Sequence, residues 1–490
     1  MSYLLTGKTA KWELVVGLEV HCQIISQAKL FSNSSTLFGL DPNSSVSFID
    51  ASLPGVLPRL NKFAVEQAIK TGLALNGTIN LVSYFDRKHY FYPDSPFGYQ
   101  ITQFYKPIME NGSLTIELEG GTEKNININR LHIEQDAGKL LHEYHPNKSF
   151  VDLNRAGVGL MEIVSDPDLR SIEEVAAYVN NLRSLVRALG TCDANMDEGS
   201  MRCDVNISVR KLGEEFRTRV EVKNVNSVKF IQKAIEYEAN LQIETWEQGL
   251  VVQQETKLFD SASGKTYSLR SKEEASDYRY VRDPDLMPLS LDANYVASLK
   301  ESLPELPHKK KLRFINDYGL NVYDATLISS DTAYANFFED ALMAQDNKLK
   351  NPKMMASWLT TNLFAFLNKE GISLENSKVT PIMLAELVDL VESQVISGKI
   401  AKDVFETMWL EGKNAKTIVE AKGLQQITNT KELEAIVNQL CNDNEDKVTA
   451  IKAGKDKLLG WFVGQVMQVT KGKANPEIVN VLLRKKIFGK

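Results

Sequence analysis

Apolar and polar residues alternate through much of the first 290 positions, and a period of two predicts strands with one buried and one polar face. Leu18, Val20, Cys22 and Ile24 share one side of such a strand, and Glu19, His21 and Gln23 project from the other. From Met201 to Arg210 the rule holds throughout. Met201, Cys203, Val205, Ile207 and Val209 face inward, and Arg202, Asp204, Asn206, Ser208 and Arg210 face outward. Arg219, Glu221 and Lys223 oppose Val220 and Val222, and His132, Glu134 and Asp136 share parity. Helical signals lie between. Ser171 and Glu174 form a capping box, followed by an apolar stripe at Val175, Val179, Leu182, Val186 and Leu189, with Gly190 as a stop. A second helix is expected from Ser227 to Gly249. Near residue 290 the alternation ends, and Leu, Ala, Lys and Glu at helical spacing take over. The pattern predicts an α+β domain over 1–293, an all-α domain over 294–407 and a small helical tail over 408–490.

A chain of 490 residues suits about three domains. With 43% hydrophobic and 24% charged residues it reads as globular, not disordered or fibrous. No apolar run approaches a bilayer span and the N-terminus lacks signal-peptide order, so no membrane contact and a cytoplasmic location are expected. The cysteines Cys22, Cys192, Cys203 and Cys441 form no CxxC pair, which argues against a disulfide framework. Cys22 and Cys203 fall on inward faces, where a thiol packs as a small hydrophobe. Charge is uneven. From Lys447 onward ten Lys/Arg face only Asp456 and Glu477, so this tail carries +8 and the remainder −14 of a net −6. A basic end on an acidic body suits either a polyanionic partner or a solvated helical surface.

Several strands thus each offer a row of acids, bases and cations. A polar sheet face is usually just wet, but His, Asp, Asn and Arg in this density suit a metal–phosphate site. Standard phosphate motifs do not account for it. Gly264-Lys265-Thr266 imitates a P-loop, yet the position of that loop's first glycine holds Phe259, and the context is a turn between extended segments. No Gly-Ser-rich run of the amidase kind is present, because Ser34-Ser35, Ser44-Ser45 and Ser329-Ser330 have no glycine framework.

Read as a set, the ordered segments resemble the B-type subunit family of aspartyl/glutamyl-tRNA amidotransferases. The matching stretches are VGLEVHCQI (16–24), DRKHYFYPDSPFGYQITQF (86–104), HIEQDAGKLLH (132–142), VDLNRAGVGLMEIVSDPDLRS (151–171) and DEGSMRCDVNISVR (197–210). EVKNVNSVKFIQKAIEYE (221–238), ETKLFDSASGKTYSLRSKEEASDYRYVRDPDL (255–286) and GQVMQVTKGKANP (464–476) complete them. The resemblance implies a cradle domain with a central antiparallel sheet, a helical domain and a tail of YqeY type. It also implies a heterotrimer with an amidase subunit and a small third subunit, converting Glu-tRNA(Gln) or Asp-tRNA(Asn) to the amide. The amidase would supply ammonia from glutamine, and this chain would activate the carboxylate with ATP and Mg2+, with Mn2+ as the alternative.

By the same resemblance Glu19, His21, Glu134 and Glu162 are expected at the metal, with Glu19 and His21 catalytic. Lys88, Arg202 and Asp204 are expected at ATP, the last two also catalytic. The bland alternatives are a hydrogen-bonded sheet histidine, wet carboxylates, Lys88 paired with Asp86 or Asp94, Arg202 paired with Glu221, and a structural Glu162. Two departures stand out. Many relatives carry a cysteine pair before the L-P-G-x-L-P segment, whereas VSFIDASLPGVLPRLN (46–61) has none, so no zinc is expected. The family's Y-F-P-x-P-D-L is here Tyr280-Val281-Arg282-Asp283-Pro284-Asp285. The resemblance assigns tRNA to the basic tail and the helical domain. The competing readings are a non-catalytic tRNA-binding scaffold and a stand-alone ATP-grasp-like ligase, and the latter lacks an ammonia source.

Overall fold

The computed structural model describes residues 4–271, 278–426, 430–470 and 472–489, which leaves out 272–277 of the 255–286 motif and the tail cations Lys471 and Lys490. The chain forms two compact units, Met1–Pro307 and His308–Lys490.

The first unit is built on a large sheet whose central strand is Lys11–Gln23. Gly159–Ser165 and Met201–Lys211 flank it, both antiparallel. Outward from Met201–Lys211 come Val220–Lys223, Glu255–Asp260 and Lys265–Ser271. On the other side lie Glu123–Gln135, Tyr99–Thr102, Asp86–His89 and Val281–Arg282. The expected antiparallel sheet is therefore mixed, since Val220–Lys223 pairs in parallel with Glu255–Asp260. Parallel neighbours need a long crossover, and the helix Val228–Glu247 provides it.

Alternation sorts the two faces as predicted. Val20, Cys22, Ile133, Met161, Ile163, Cys203 and Val205 are all buried in one core. The helices Lys62–Ala74, Ile172–Leu189 and Val228–Glu247 pack on that face. Ser171 caps its helix by accepting from the Glu174 backbone N–H at 3.1 Å, and Gly190 ends it at φ 67°. Glu174 does not close the box on Ser171. Its carboxylate takes the Arg170 backbone N–H at 2.6 Å and Lys124 Nζ at 2.7 Å. Gly264-Lys265-Thr266 lies at a hairpin turn, not at the head of a helix.

In the segment lacking the cysteine pair, Asp50 closes the loop by charge. It lies 3.2 Å from Nζ of the fully buried Lys29 and accepts from Ser32 Oγ at 2.9 Å and the Ser47 N–H at 2.8 Å. Neither ion is left uncompensated, which is what a buried pair requires.

After Leu289–Ser290 the described residues contain helices and no further strand. The helix Ala293–Glu301 still sends Leu299 into the first core. In the second unit one core gathers Phe314, Phe338, Leu384, Val404, Trp409 and Ile418, and another gathers Leu433, Val437, Phe462, Val466 and Leu483. The expected limit at 407 falls inside the helix Gly398–Glu411, whose Met408 and Trp409 are buried in the former core.

Candidate functional site

Strand register assembles the site. Arg202, His21, Glu162 and His132 stand directly opposite one another across four neighbouring strands. The adjacent row runs Asp204, Glu19, Val164 and Arg130, and Thr102 sits opposite Glu134. Directly opposed side chains have Cβ atoms about 5 Å apart, so residues remote in sequence are forced together. His21 Nε2 lies 3.4 Å from Glu162 Oε2 and 3.6 Å from Glu134 Oε1. His132 Nε2 lies 3.2 Å from Glu162 Oε2 and 3.5 Å from Glu134 Oε2. Two imidazoles thus bridge two carboxylates.

A cavity of about 320 Å³ opens over this cluster and takes in Glu19, His21, Lys88, Glu134, Glu162 and Asp204. Of the seven residues expected at the site, six line it. Arg202 lines the adjoining recess, where its guanidinium grips Asp136 at 3.0 Å through both terminal nitrogens. Its alternative partner Glu221 is not the one it takes. Asp136 also receives Gln23 Nε2 at 3.0 Å, and Gly138 follows it closely. A Cβ on Gly138 would stand 2.8 Å from the Asp152 carbonyl oxygen, so only glycine fits that turn.

Lys88 pairs with neither Asp86 nor Asp94. Its ammonium sits 4.7 Å from the centre of the Tyr278 ring, while Asp86 accepts the backbone N–H groups of Phe104 and Tyr105 at 3.0 Å each. Glu19 accepts from Asn206 Nδ2 at 2.9 Å, and Asp204 is bound by Lys223, which also lies 3.3 Å from Glu221.

Electrostatics follow from crowding charges in a half-dry cleft. Burial opposes the imidazolium of His21, but the Glu162 hydrogen bond and the Glu162, Glu134 and Asp204 charges push it up to about 9. His132 is likewise opposed by burial and pushed up to about 9 by Glu162 and Glu134. The two imidazoles hold Glu162 well below the usual carboxylate range despite its burial. Burial and the nearby Glu162 and Glu221 charges raise Glu19. Burial disfavours the Lys223 ammonium, yet Asp204 and Glu221 raise it above the ordinary lysine value.

Donor atoms of His21, Glu134 and Glu162 lie within 4.8 Å of one another, the one such group among the described residues. They fit a divalent cation that accepts both nitrogen and oxygen, a preference closer to Mn2+ than to Mg2+. Glu19 lines the same cavity but stands outside that trio. His132 was not among the expected site residues, although its parity with Glu134 was the available signal. Arg130, Arg219, Glu221 and Lys223 also line the cavity, the last three through the row that alternation had exposed. Tyr90, Phe104, Tyr278 and Tyr280 line it too, and no periodicity marks them because they lie in loops. Cys22 and Cys203 are buried on the opposite face, so neither is a nucleophile here.

An acid- and imidazole-lined sheet cradle followed by helical units is the build of a known class of catalytic subunit. Residues 14–297 match the GatB/GatE catalytic domain, and residues 336–487 match the GatB domain. The aspartyl/glutamyl-tRNA(Asn/Gln) amidotransferase B subunit of Acidiphilium cryptum is 54% identical over 487 residues, covering 99% of each chain. The proteins of that name from Paramagnetospirillum magneticum and Rhodospirillum rubrum are each 53% identical over 490 residues, covering all of both chains. The chain belongs to the B-type subunit family of the aspartyl/glutamyl-tRNA(Asn/Gln) amidotransferases. No helix among the described residues is long and apolar enough to cross a membrane.

Proposed function

We propose that this chain activates the side-chain carboxylate of Glu-tRNA(Gln), Asp-tRNA(Asn) or both for amidation. It does so as the B-type member of a cytoplasmic heterotrimer that also holds an amidase subunit and a small third subunit. The observation that carries this reading is the largely buried His21–His132–Glu134–Glu162 cluster at the floor of a cavity lined by charges of both signs. A tRNA-binding scaffold has no use for so many ionisable groups held out of water.

ATP supplies the phosphoryl group that turns a carboxylate oxygen into a leaving group, after which the C–N bond to ammonia forms as the C–O bond to phosphate breaks. This chain's residues position and neutralise. His21, Glu134 and Glu162 would hold the cation, with Glu19 adding charge from the same cavity. Lys88, Arg130, Arg219 and Lys223 face the cavity as counter-charges for phosphate oxygens. Arg202 acts through Asp136 instead, fixing the recess beside His21. Beyond Glu19 and Arg219 a second recess of about 350 Å³, lined by Gly17, Ser165, Asn206 and Phe216, offers room for the nucleoside of ATP.

The three modules divide at about residue 307 and again between Leu424 and Leu433, since Leu424 packs on one hydrophobic core and Leu433 belongs to the next. The basic end carries tRNA contacts through phosphate neutralisation, so binding should weaken steeply with salt. The test is the reconstituted trimer with each mischarged tRNA. ATP-dependent amidation of at least one is expected. ADP release that ignores aminoacyl-tRNA would overturn the reading.

A further inference from the structure

The two sides of the cavity balance their charge by different means. Five carboxylates line it: Glu19, Glu134, Glu162, Asp204 and Glu221. Glu134 and Glu162 belong to the imidazole cluster, where donor atoms converge as a metal ion demands. Glu19, Asp204 and Glu221 gather on the neighbouring strands. Asp204 stands directly opposite Glu19, and Asn206 directly opposite Glu221. Among the described residues these three acids form no second converging group. A lysine is seated with them instead: the Lys223 ammonium is bound by Asp204 and lies 3.3 Å from Glu221. Neutral donors orient the acids around it, Asn206 Nδ2 to Glu19 Oε1 at 2.9 Å and Thr256 Oγ1 to Glu221 Oε2 at 2.8 Å.

Phosphoryl transfer commonly draws on more than one cation, and many such sites set two divalent ions about 4 Å apart. Three carboxylates on one wall make that need larger, because each repels the oxygens of an incoming triphosphate. A lysine that served the sheet alone would gain little from a single wet acid. Lys223 instead contacts two acids on the wall of the cavity, with its side chain only 35% exposed.

We propose that the Lys223 ammonium is the second cation of the site, built into the chain where a second divalent ion would otherwise be needed, so that the site works with one exchangeable metal ion and one fixed lysine. It neutralises Asp204 and Glu221, and with them the wall that Glu19 shares, so that a polyphosphate can lie against it. The proposal rests on the carboxylate-activating reading above. It carries a consequence for the chain without that charge. Removing the ammonium leaves Glu19, Asp204 and Glu221 as a set of oxygen ligands, which is what a hard divalent cation takes.

The experiment uses the complete complex and compares the parent with Lys223→Met, which keeps the apolar stem, and Lys223→Arg, which keeps the charge. Bound Mn2+ is counted by electron paramagnetic resonance, and ions on the other subunits cancel in the difference. Lys223→Met should bind one ion more than the parent, and Lys223→Arg the parental number. At low Mn2+ the methionine variant should lose amidation about a hundredfold, as deletion of one charge-stabilising group does, and should recover about tenfold or more as Mn2+ rises and fills the vacated place. The arginine variant should need no extra metal. An unchanged ion count in Lys223→Met would overturn the proposal, and a lower urea midpoint alongside it would assign Lys223 to folding alone. An extra ion in Lys223→Arg would overturn it equally. Absence of ATP-dependent amidation in the parent complex would instead sink the underlying reading, with the ion counts still readable.

Discussion

The same strands build two opposite environments. Beneath the sheet, Val20, Cys22, Ile163 and Ile133 form a dry core in which neighbours are interchangeable so long as volume is kept. Above it, His21, Glu162 and His132 occupy adjacent positions on the same strands, and their roles depend on which residue lies opposite. A one-residue slip of Gly159–Ser165 would exchange Glu162 for Met161 or Ile163 and destroy both faces at once. Hydrophobic alternation thus does double duty. It stabilises the core, and by pinning register it sets which charges meet.

That contrast makes separable predictions. The largest effect is expected from His21→Ala, which should lower ATP-dependent amidation at least a hundredfold while the trimer still assembles, since the deleted group faces the cavity and not the core. Near-parental amidation would erase the distinction between a wet face and a chemical one. Ile163→Ala, next door but beneath, should instead cost about 2–5 kcal/mol of stability, read as a lower unfolding midpoint. The amidation rate per folded molecule should change far less than in His21→Ala. A smaller effect follows from protonation. His21 and His132 are pushed up to about 9 from an unfolded value near 6.5, so their contribution is full below about pH 6.5 and is lost as pH rises through about 9. In chelator, the urea midpoint should therefore fall between those pH values, and His21→Gln should flatten that fall. An equal slope in both proteins would show that the imidazolium–carboxylate pairing contributes nothing to folding.

How much of this was legible in the sequence follows from the same contrast. Face assignment was readable, because parity is a property of one strand alone: Glu19, His21, Glu134 and Asp204 all fell on the predicted side. Partner choice was not, because it depends on register between strands that lie far apart in the chain. Arg202 therefore takes Asp136 rather than Glu221, and Lys88 takes the Tyr278 ring rather than a carboxylate. His132 was visible as a parity mate of Glu134, but nothing local marked it as facing Glu162. The parallel pair and the cavity-lining tyrosines left no periodic trace, since loops and crossovers obey no repeat. In the helical half the 3.6-residue pattern gave the class of fold, while which core each helix fills could not be read from one helix alone.

The claim beneath all of this is that register gathers a cation site from separate strands. The direct test is a Mn2+ titration of the complex followed by electron paramagnetic resonance, in the parent and in His21→Ala and Glu162→Ala. One tight ion per complex attributable to this chain is expected in the parent, with its loss in both variants. Retention of that ion by either variant would contradict the account.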